Sequence, residues 1–395
     1  MKAKFSRRGR WVATLAVTLA VSAAARGQAP ESGGADEAMR VYLTGNGLLN
    51  RGLDDLAAAE YRKFLSDHAT HEKAALARYG LAVSLFRTSH CDEALRELEP
   101  LLGLGSFEYG AETAVMAGQC HLLGGRFDRA AAALSAMLNG YADHDLADDA
   151  SAALIEAEHR GGDHQAALKE AARFAERFSG SPLADRVEFF AAASEQATGQ
   201  FAAAAKRLSA LLEAFPTSSL AEPASLRLAQ CRQGAGDSQE AIRGYVKILK
   251  SGPAAHAPEA LGSLGALLYG EGQYPAAREA LEQLISSHAD APQAQKAHLA
   301  LGHVNYALGE FDRAMDAYKH SAQTDQTTAD QAAYWSAKCL LRKDRFADAA
   351  SALQEAAARF PESALLPQMF YDRAVACIRS EKPGEAIEAL EAFLS

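Results

Sequence analysis

The sequence is short of several things at once. Aromatics are 8% of 395 residues, with two tryptophans, and there are twelve prolines and five cysteines. So few cysteines exclude a disulfide-dense scaffold, and so little proline excludes a collagen-like chain. There is no excess of positive charge: 40 Lys+Arg stand against 50 Asp+Glu, a net −10. A phosphate-binding surface needs the opposite balance, so nucleic acid is not the expected partner. Apolar residues reach 49% against 23% charged, which excludes disorder as the main state. Much of that apolar share is alanine, the best helix former and a poor core filler. The composition favours closely approaching helices over a β-sandwich. Length alone suggests two or three domains.

Residues 1–10 carry Lys2, Lys4, Arg7, Arg8 and Arg10 and no acid, and Trp11–Ala25 is uncharged, closing on Ala23, Ala24 and Ala25. A basic start, a short apolar core and a small-residue end describe a signal peptide over 1–25. The uncharged run is shorter than the ~20 residues of a membrane span. Ser6, Arg7 and Arg8 partly match a twin-arginine signal, with Arg10 off the pattern. Cleavage near Ala25 leaves 35 bases against 50 acids, a net −15. No cysteine precedes Cys91, so a lipobox is absent. A periplasmic or secreted protein is the expectation, with outer-membrane association as the alternative. Residues 26–37, rich in Gly, Ser, Pro and acids, read as a flexible leader.

Beyond residue 37 the chain repeats. The turn pattern is Gly, any residue, an aromatic, two residues, then Ala. It occurs at Gly125–Ala130, Gly199–Ala204, Gly272–Ala277 and Gly309–Ala314. Aligned on the closing alanine, the anchors are Ala57, Ala94, Ala130, Ala167, Ala204, Ala241, Ala277, Ala314, Ala349 and Ala386, spaced 35–37 residues apart. Twelve residues before the anchor, nine of ten residues are Gly or Ala; five before it, seven of ten are Gly. Apolar residues fall four, seven and eight after it, the buried face of one helix. The unit is therefore two helices around a glycine turn. The small residue of the first helix is expected to face the anchor alanine, and the aromatic to plug the turn. Linkers such as Phe215–Ser218 and Phe360–Ser363 stop one helix and start the next.

These positions resemble the tetratricopeptide repeat (TPR). The resemblance covers 38–395 and implies an all-α fold, an α-solenoid superhelix of about ten helix–turn–helix repeats. The unit is two or three residues longer than the family's usual 34, and a Phe-Pro-x-Ser linker recurs. In this it resembles repeats of bacterial envelope proteins: the periplasmic coordinator of the Tol–Pal system and the lipoprotein of the outer-membrane β-barrel assembly machinery. It departs from the second in lacking a lipobox. It departs from the first in repeat number and in lacking an N-terminal coiled coil. The resemblance implies a scaffold that binds envelope proteins or peptides, without catalysis or cofactor. Alternatives are an outer-membrane assembly factor, or the targeting arm of an enzyme whose catalytic domain lies beyond Ser395. The last helix would leave Leu390, Phe393 and Leu394 without a neighbour, which favours a fragment of a longer protein.

No nucleotide-binding, hydrolase or zinc-protease motif is present. His68 and His71 beside Asp67 and Glu72, and Asp143, His144 and Asp145 near Asp148 and Asp149, are acid–histidine clusters. They read as solvated loop residues and helix-start acids rather than metal sites. Cys120, Cys231 and Cys339 share one repeat position and read as packing residues, so no internal disulfide is expected. The TPR resemblance places ligand contacts on the inner, concave face of the first helices. In the last four repeats those positions hold Tyr269, Lys296, His303, Tyr306, Tyr334, Lys338, Arg342, Tyr371 and Arg379. Tyrosines interleaved with bases suit an acidic or C-terminal peptide; the alternative, and the favoured one, is that the tyrosines simply pack between adjacent first helices.

Overall fold

The computed structural model describes residues 33–251 and 255–394. The signal-peptide segment and leader residues 26–32 lie outside them; Gly33–Glu37, also read as leader, open the first helix. The described residues form twenty α-helices, one 3₁₀ turn and no strand. The chain divides into two compact units, Met1–Thr198 and Gly199–Ser395.

The first unit holds α1 (Gly33–Asn50), α2 (Asp54–Asp67), α3 (Ala74–Arg87), α4 (Cys91–Leu102), α5 (Gly110–Leu123), α6 (Phe127–Gly140), α7 (Ala147–Gly161), α8 (His164–Arg177) and α9 (Ala184–Ala197). The second holds α10 (Phe201–Ala214), α11 (Ala221–Gly234), α12 (Ser238–Lys250), α13 (Ala257–Gly270), α14 (Tyr274–Ser287), α15 (Pro292–Ala307) and α16 (Phe311–Thr324). After the 3₁₀ turn Gln326–Thr328 come α17 (Ala329–Arg342), α18 (Phe346–Arg359), α19 (Leu366–Arg379) and α20 (Pro383–Leu394). Within each unit consecutive helices pack on one another, and first helices of successive hairpins also touch, α5 on α7 and α13 on α15. Each unit is thus a stack of hairpins, an all-α solenoid with no separate central core.

The anchor alanines account for the close approach, since all ten are at most 3% exposed. The residue four later is buried in nine repeats, as in Tyr61, Leu134, Tyr245 and Tyr318. Leu390, in the last helix, is the exception at 38% exposed. Where the small residue of the first helix is glycine, its nearest neighbour across the hairpin is this side chain, a partner the sequence pattern did not name. A Cβ added at Gly118 would lie 2.5 Å from Leu134 Cγ, and one at Gly302 2.3 Å from Tyr318 Cε1. Volume explains the pairing. The Leu or Tyr side chain fills the space between helices, and only a missing Cβ leaves room for it.

The turn needs a left-handed residue. The seven turn glycines have φ of +71° to +91°. In the other three repeats Ser89, Asp344 and Glu381 take the same place at φ 65°, 56° and 60°. The linker also recurs as a device. The residue eleven after the anchor (His68, Tyr141, Phe178, Phe215, His288, Phe360) donates its N–H back to the carbonyl four earlier. Linker serines Ser181 and Ser363 then donate to Asp148 and Asp330, at the starts of α7 and α17, 2.7 and 2.5 Å away. In these two linkers the serine thus ties the linker back to the first helix of the preceding hairpin.

Candidate functional site

The nine predicted positions fall into separate groups on the first helices of the second unit. Tyr269 on α13 is largely exposed and leans on the turn residue Tyr274, ring centroids 5.6 Å apart. Lys296 is exposed on α15. His303 and Tyr306 pack around Trp335 of α17, at 5.0 and 5.2 Å. His303 Nδ1 lies 2.9 Å from the Tyr318 hydroxyl, and burial lowers the His303 pKa. Arg342 and Arg379 sit over turn aromatics of the preceding repeat: Arg342 5.5 Å from the Phe311 ring and 5.9 Å from Tyr306, Arg379 5.3 Å from Phe346. Arg160 does the same over Phe127 at 4.8 Å in the first unit. A guanidinium on an aromatic face at one repeat position is a packing device of the turn ridge.

The remaining three positions converge. Tyr334 of α17 donates its hydroxyl proton to Asp372 Oδ2 on α19 at 2.8 Å, and Lys338 Nζ donates to the same oxygen at 2.9 Å. Burial, then the Asp372 carboxylate, pushes the Tyr334 pKa up, so this phenol remains protonated. The Lys338 ammonium also lies 5.8 Å from the Tyr334 ring. Tyr371, one residue before Asp372, is 54% exposed and faces Phe393 of α20, 43% exposed, at 6.3 Å. Tyr334, Pro367, Gln368, Tyr371, Asp372 and Phe393 line a concavity of about 230 Å³.

Asp372 and Phe393 were missed by the repeat-position reading. Asp372 lies one residue after position 5 of its unit, off the ligand set, and Phe393 belongs to a second helix. The first carried a signal nonetheless: an acid in the apolar half of a first helix needs a buried partner. With Lys338 held by Asp372 and two arginines held on ring faces, the basic stripe is largely consumed within the protein. What it offers outward is aromatic surface around a buried carboxylate.

The acid–histidine clusters have local uses. The His68 ring packs on Phe64 at 5.6 Å and His71 Nδ1 accepts the Lys73 N–H at 3.1 Å. His144 Nδ1 takes the Leu146 N–H at 3.2 Å. Among the described residues, no three His, Cys, Asp or Glu side chains are grouped to hold a metal. Cys120, Cys231, Cys339 and Cys377 are buried, Cys91 partly so, and none is in a disulfide. Burial lifts the Cys339 thiol to about 12. No helix among the described residues is long and apolar enough to cross a membrane.

Stacked helical hairpins with small residues at fixed positions and a left-handed turn define a helical-repeat solenoid. The profile described as "Tetratricopeptide repeat" matches residues 79–145, 263–327, 328–364 and 337–395, half of the chain. A second, "Tetratricopeptide repeat-like domain", matches 136–280. The chain belongs to the tetratricopeptide repeat family. No curated protein matches it. Among solved structures, the C-terminal part of a TPR repeat-containing protein from Cytophaga hutchinsonii is 14% identical, with a TM-score of 0.52 over 61% of this chain and 93% of its own. A tetratricopeptide repeat protein from Parabacteroides merdae is 11% identical, with a TM-score of 0.48 over 68% of this chain and 99% of its own.

Proposed function

We propose that this chain is a non-enzymatic scaffold of the bacterial cell envelope that docks partner proteins or peptides on the first-helix face of its last repeats. Proteins built from this repeat serve protein–protein interaction, and no enzyme family is found for this chain. The observation that carries the reading is the concavity at Tyr334, Tyr371, Asp372 and Phe393, where two rings stay exposed beside a buried charge. Export is supported by the basic start and uncharged run of residues 1–25. The mature protein would then work outside the cytoplasm, among proteins of the periplasm or outer membrane.

The test is in vivo crosslinking followed by affinity capture of the full chain from the periplasmic fraction. Wild type is compared with the double variant Tyr371→Ala/Phe393→Ala, whose sites are exposed and leave the hairpin packing intact. Loss of specific crosslinked partners from the variant supports the surface; an identical partner set removes it. N-terminal sequencing of the captured protein checks export, with a start near Arg26 expected.

A further inference from the structure

Two of the five cysteines meet. Cys91 is the first residue of α4 and partly exposed, and Cys120 lies near the end of α5, fully buried. Cys91 packs against the same apolar cluster that holds Cys120, Met116 and Ala117. The two thiols are hydrogen-bonded. That bond, then burial, pushes the Cys120 pKa up, so the proton stays on Cys120 and its S–H donates to the Cys91 sulfur. The contact follows from the repeat. Cys91 stands three residues before its anchor, where other repeats carry the turn aromatic (Phe127, Phe201, Tyr274, Phe311, Phe346), and Cys120 stands ten before the next anchor. The same two positions meet in the second unit, where Phe311 packs in one cluster with Cys339. Before Cys231 and Cys339 the turn position is phenylalanine; before Cys120 it is cysteine. A polar chain flanks the pair. Arg126 donates from Nη1 to Asp92 Oδ1 at 2.8 Å and from Nε to His121 Nδ1 at 3.2 Å. The residue after each cysteine is thus tied to one guanidinium. The sequence argument against an internal disulfide applied to equivalent positions of successive repeats, and these two positions are not equivalent.

We propose that Cys91 and Cys120 are a redox pair that closes into an intrachain disulfide when the chain meets a disulfide oxidant, fastening α4 to α5. Cys91, the sulfur that solvent reaches, attacks first. Its proton goes to solvent, its thiolate attacks one sulfur of R–S–S–R, a Cys91–S–S–R bond forms and R–S⁻ leaves. The Cys120 sulfur then gives up its proton and attacks the Cys91 sulfur, and the second R–S⁻ leaves. The pair loses two electrons, and the oxidant is reduced to two R–SH that take up the two protons. The sulfurs already touch, so closure to the ~2.05 Å of a disulfide needs only a small shift at the start of α4. The bond has a structural use. The linkers at His68, Tyr141 and Phe178 return an N–H to the preceding helix, whereas the α4–α5 linker has Gly105 at that position, which makes no such bond. The disulfide supplies this junction with a tie between its two helices. The proposal goes beyond the docking reading and does not depend on it; export would bring the pair to a compartment that holds such oxidants.

The test takes the purified full chain, reduces it, and equilibrates it in stepped ratios of oxidised to reduced glutathione. Samples are quenched with acid, unfolded and alkylated. Trypsin separates Thr88–Arg96 from Glu97–Arg126, so mass spectrometry without reduction reads the bond as these two peptides joined. The joined species is expected in the oxidising buffers and lost on adding dithiothreitol, with Cys231, Cys339 and Cys377 alkylated throughout. Cys120→Ala should trap Cys91 as a mixed disulfide with glutathione, and Cys91→Ser should leave Cys120 alkylated. Circular dichroism of each variant confirms that the fold is kept, and Cys91→Ser, at the more exposed site, carries the test if Cys120→Ala unfolds the hairpin. Five alkylated thiols at every ratio overturn the pair. So does wild type that keeps glutathione on Cys91 while Cys120 is still alkylated, because the second exchange then does not occur. Joined peptides that contain Cys231, Cys339 or Cys377 in comparable yield also overturn it, since the pairing is then not set by the contact between α4 and α5.

Discussion

At the scale of the residue, the turns show most directly what the sequence pays in backbone conformation. Ser89, Asp344 and Glu381 hold a left-handed φ that costs an L-residue roughly 1–2 kcal/mol and glycine little. Glu381→Gly should therefore raise stability by about 0.5–1 kcal/mol, measured as a shift in the urea midpoint at constant slope. The reverse change, Gly125→Ala, has open space for its methyl but φ +71°, and should lower the midpoint by about 1 kcal/mol. Buried carboxylates give a second residue-scale effect. Burial, then the neighbouring Glu170 and Asp163, raises the Glu158 pKa to about 7 from an ordinary 4.5. Its Oε2 is buried without a partner. A raised carboxylate pKa means the folded state holds the proton more tightly, so the stability contributed falls as pH rises from about 4.5 to about 7 and is flat above. Glu158→Gln should stabilise the protein at pH 8 and change it little at pH 4.5. Chemical denaturation at the two pH values checks the sign, and equal gains at both would contradict the assignment.

At the scale of the element, the hairpin was the most legible feature because it is written ten times. The anchor alanine, the apolar face after it and the turn glycine all appear at their expected places. Three features escaped, each because it depends on what lies across a helix interface. The small residue accommodates the side chain four after the anchor, which only packing reveals. The three non-glycine turns keep the left-handed shape because tertiary packing overrides the local preference. The arginines at the end of the first helices resembled ligand-binding bases, yet Arg342 and Arg379 cover the rings of Phe311 and Phe346. A ring face is a local attractor for a guanidinium, and the preceding turn supplies one to Arg160, Arg342 and Arg379, whereas Arg87 at the same repeat position meets Asp54 instead. Arg342→Ala should thus cost up to about 1 kcal/mol of stability while leaving the set of crosslinked partners unaltered. Thermal denaturation and the affinity capture together separate those outcomes. The candidate site was legible only in part for the same reason: Tyr334, Lys338 and Tyr371 follow from repeat position, whereas Asp372 becomes meaningful once α17 and α19 are side by side.

At the scale of the whole molecule, stability is distributed. Each hairpin meets only its neighbours within its unit, so the free energy is close to a sum of hairpin and interface contributions. An internal defect should then stay where it is made. Gly302 provides the sharpest probe, because a Cβ there would overlap the Tyr318 ring, and that ring is itself buried against α17. Gly302→Leu should destabilise α15, α16 and α17 by about 3 kcal/mol, the upper end of overpacking costs. Hydrogen exchange read across the chain tests both the register and the architecture. Faster exchange confined to residues 292–342 and their immediate neighbours, with residues 33–198 protected as before, is the signature of a nearest-neighbour stack. Uniform loss of protection from residue 33 onward would instead mean that the hairpins share one cooperative core. Unchanged exchange throughout would mean that Gly302 does not occupy the helix interface assigned to it.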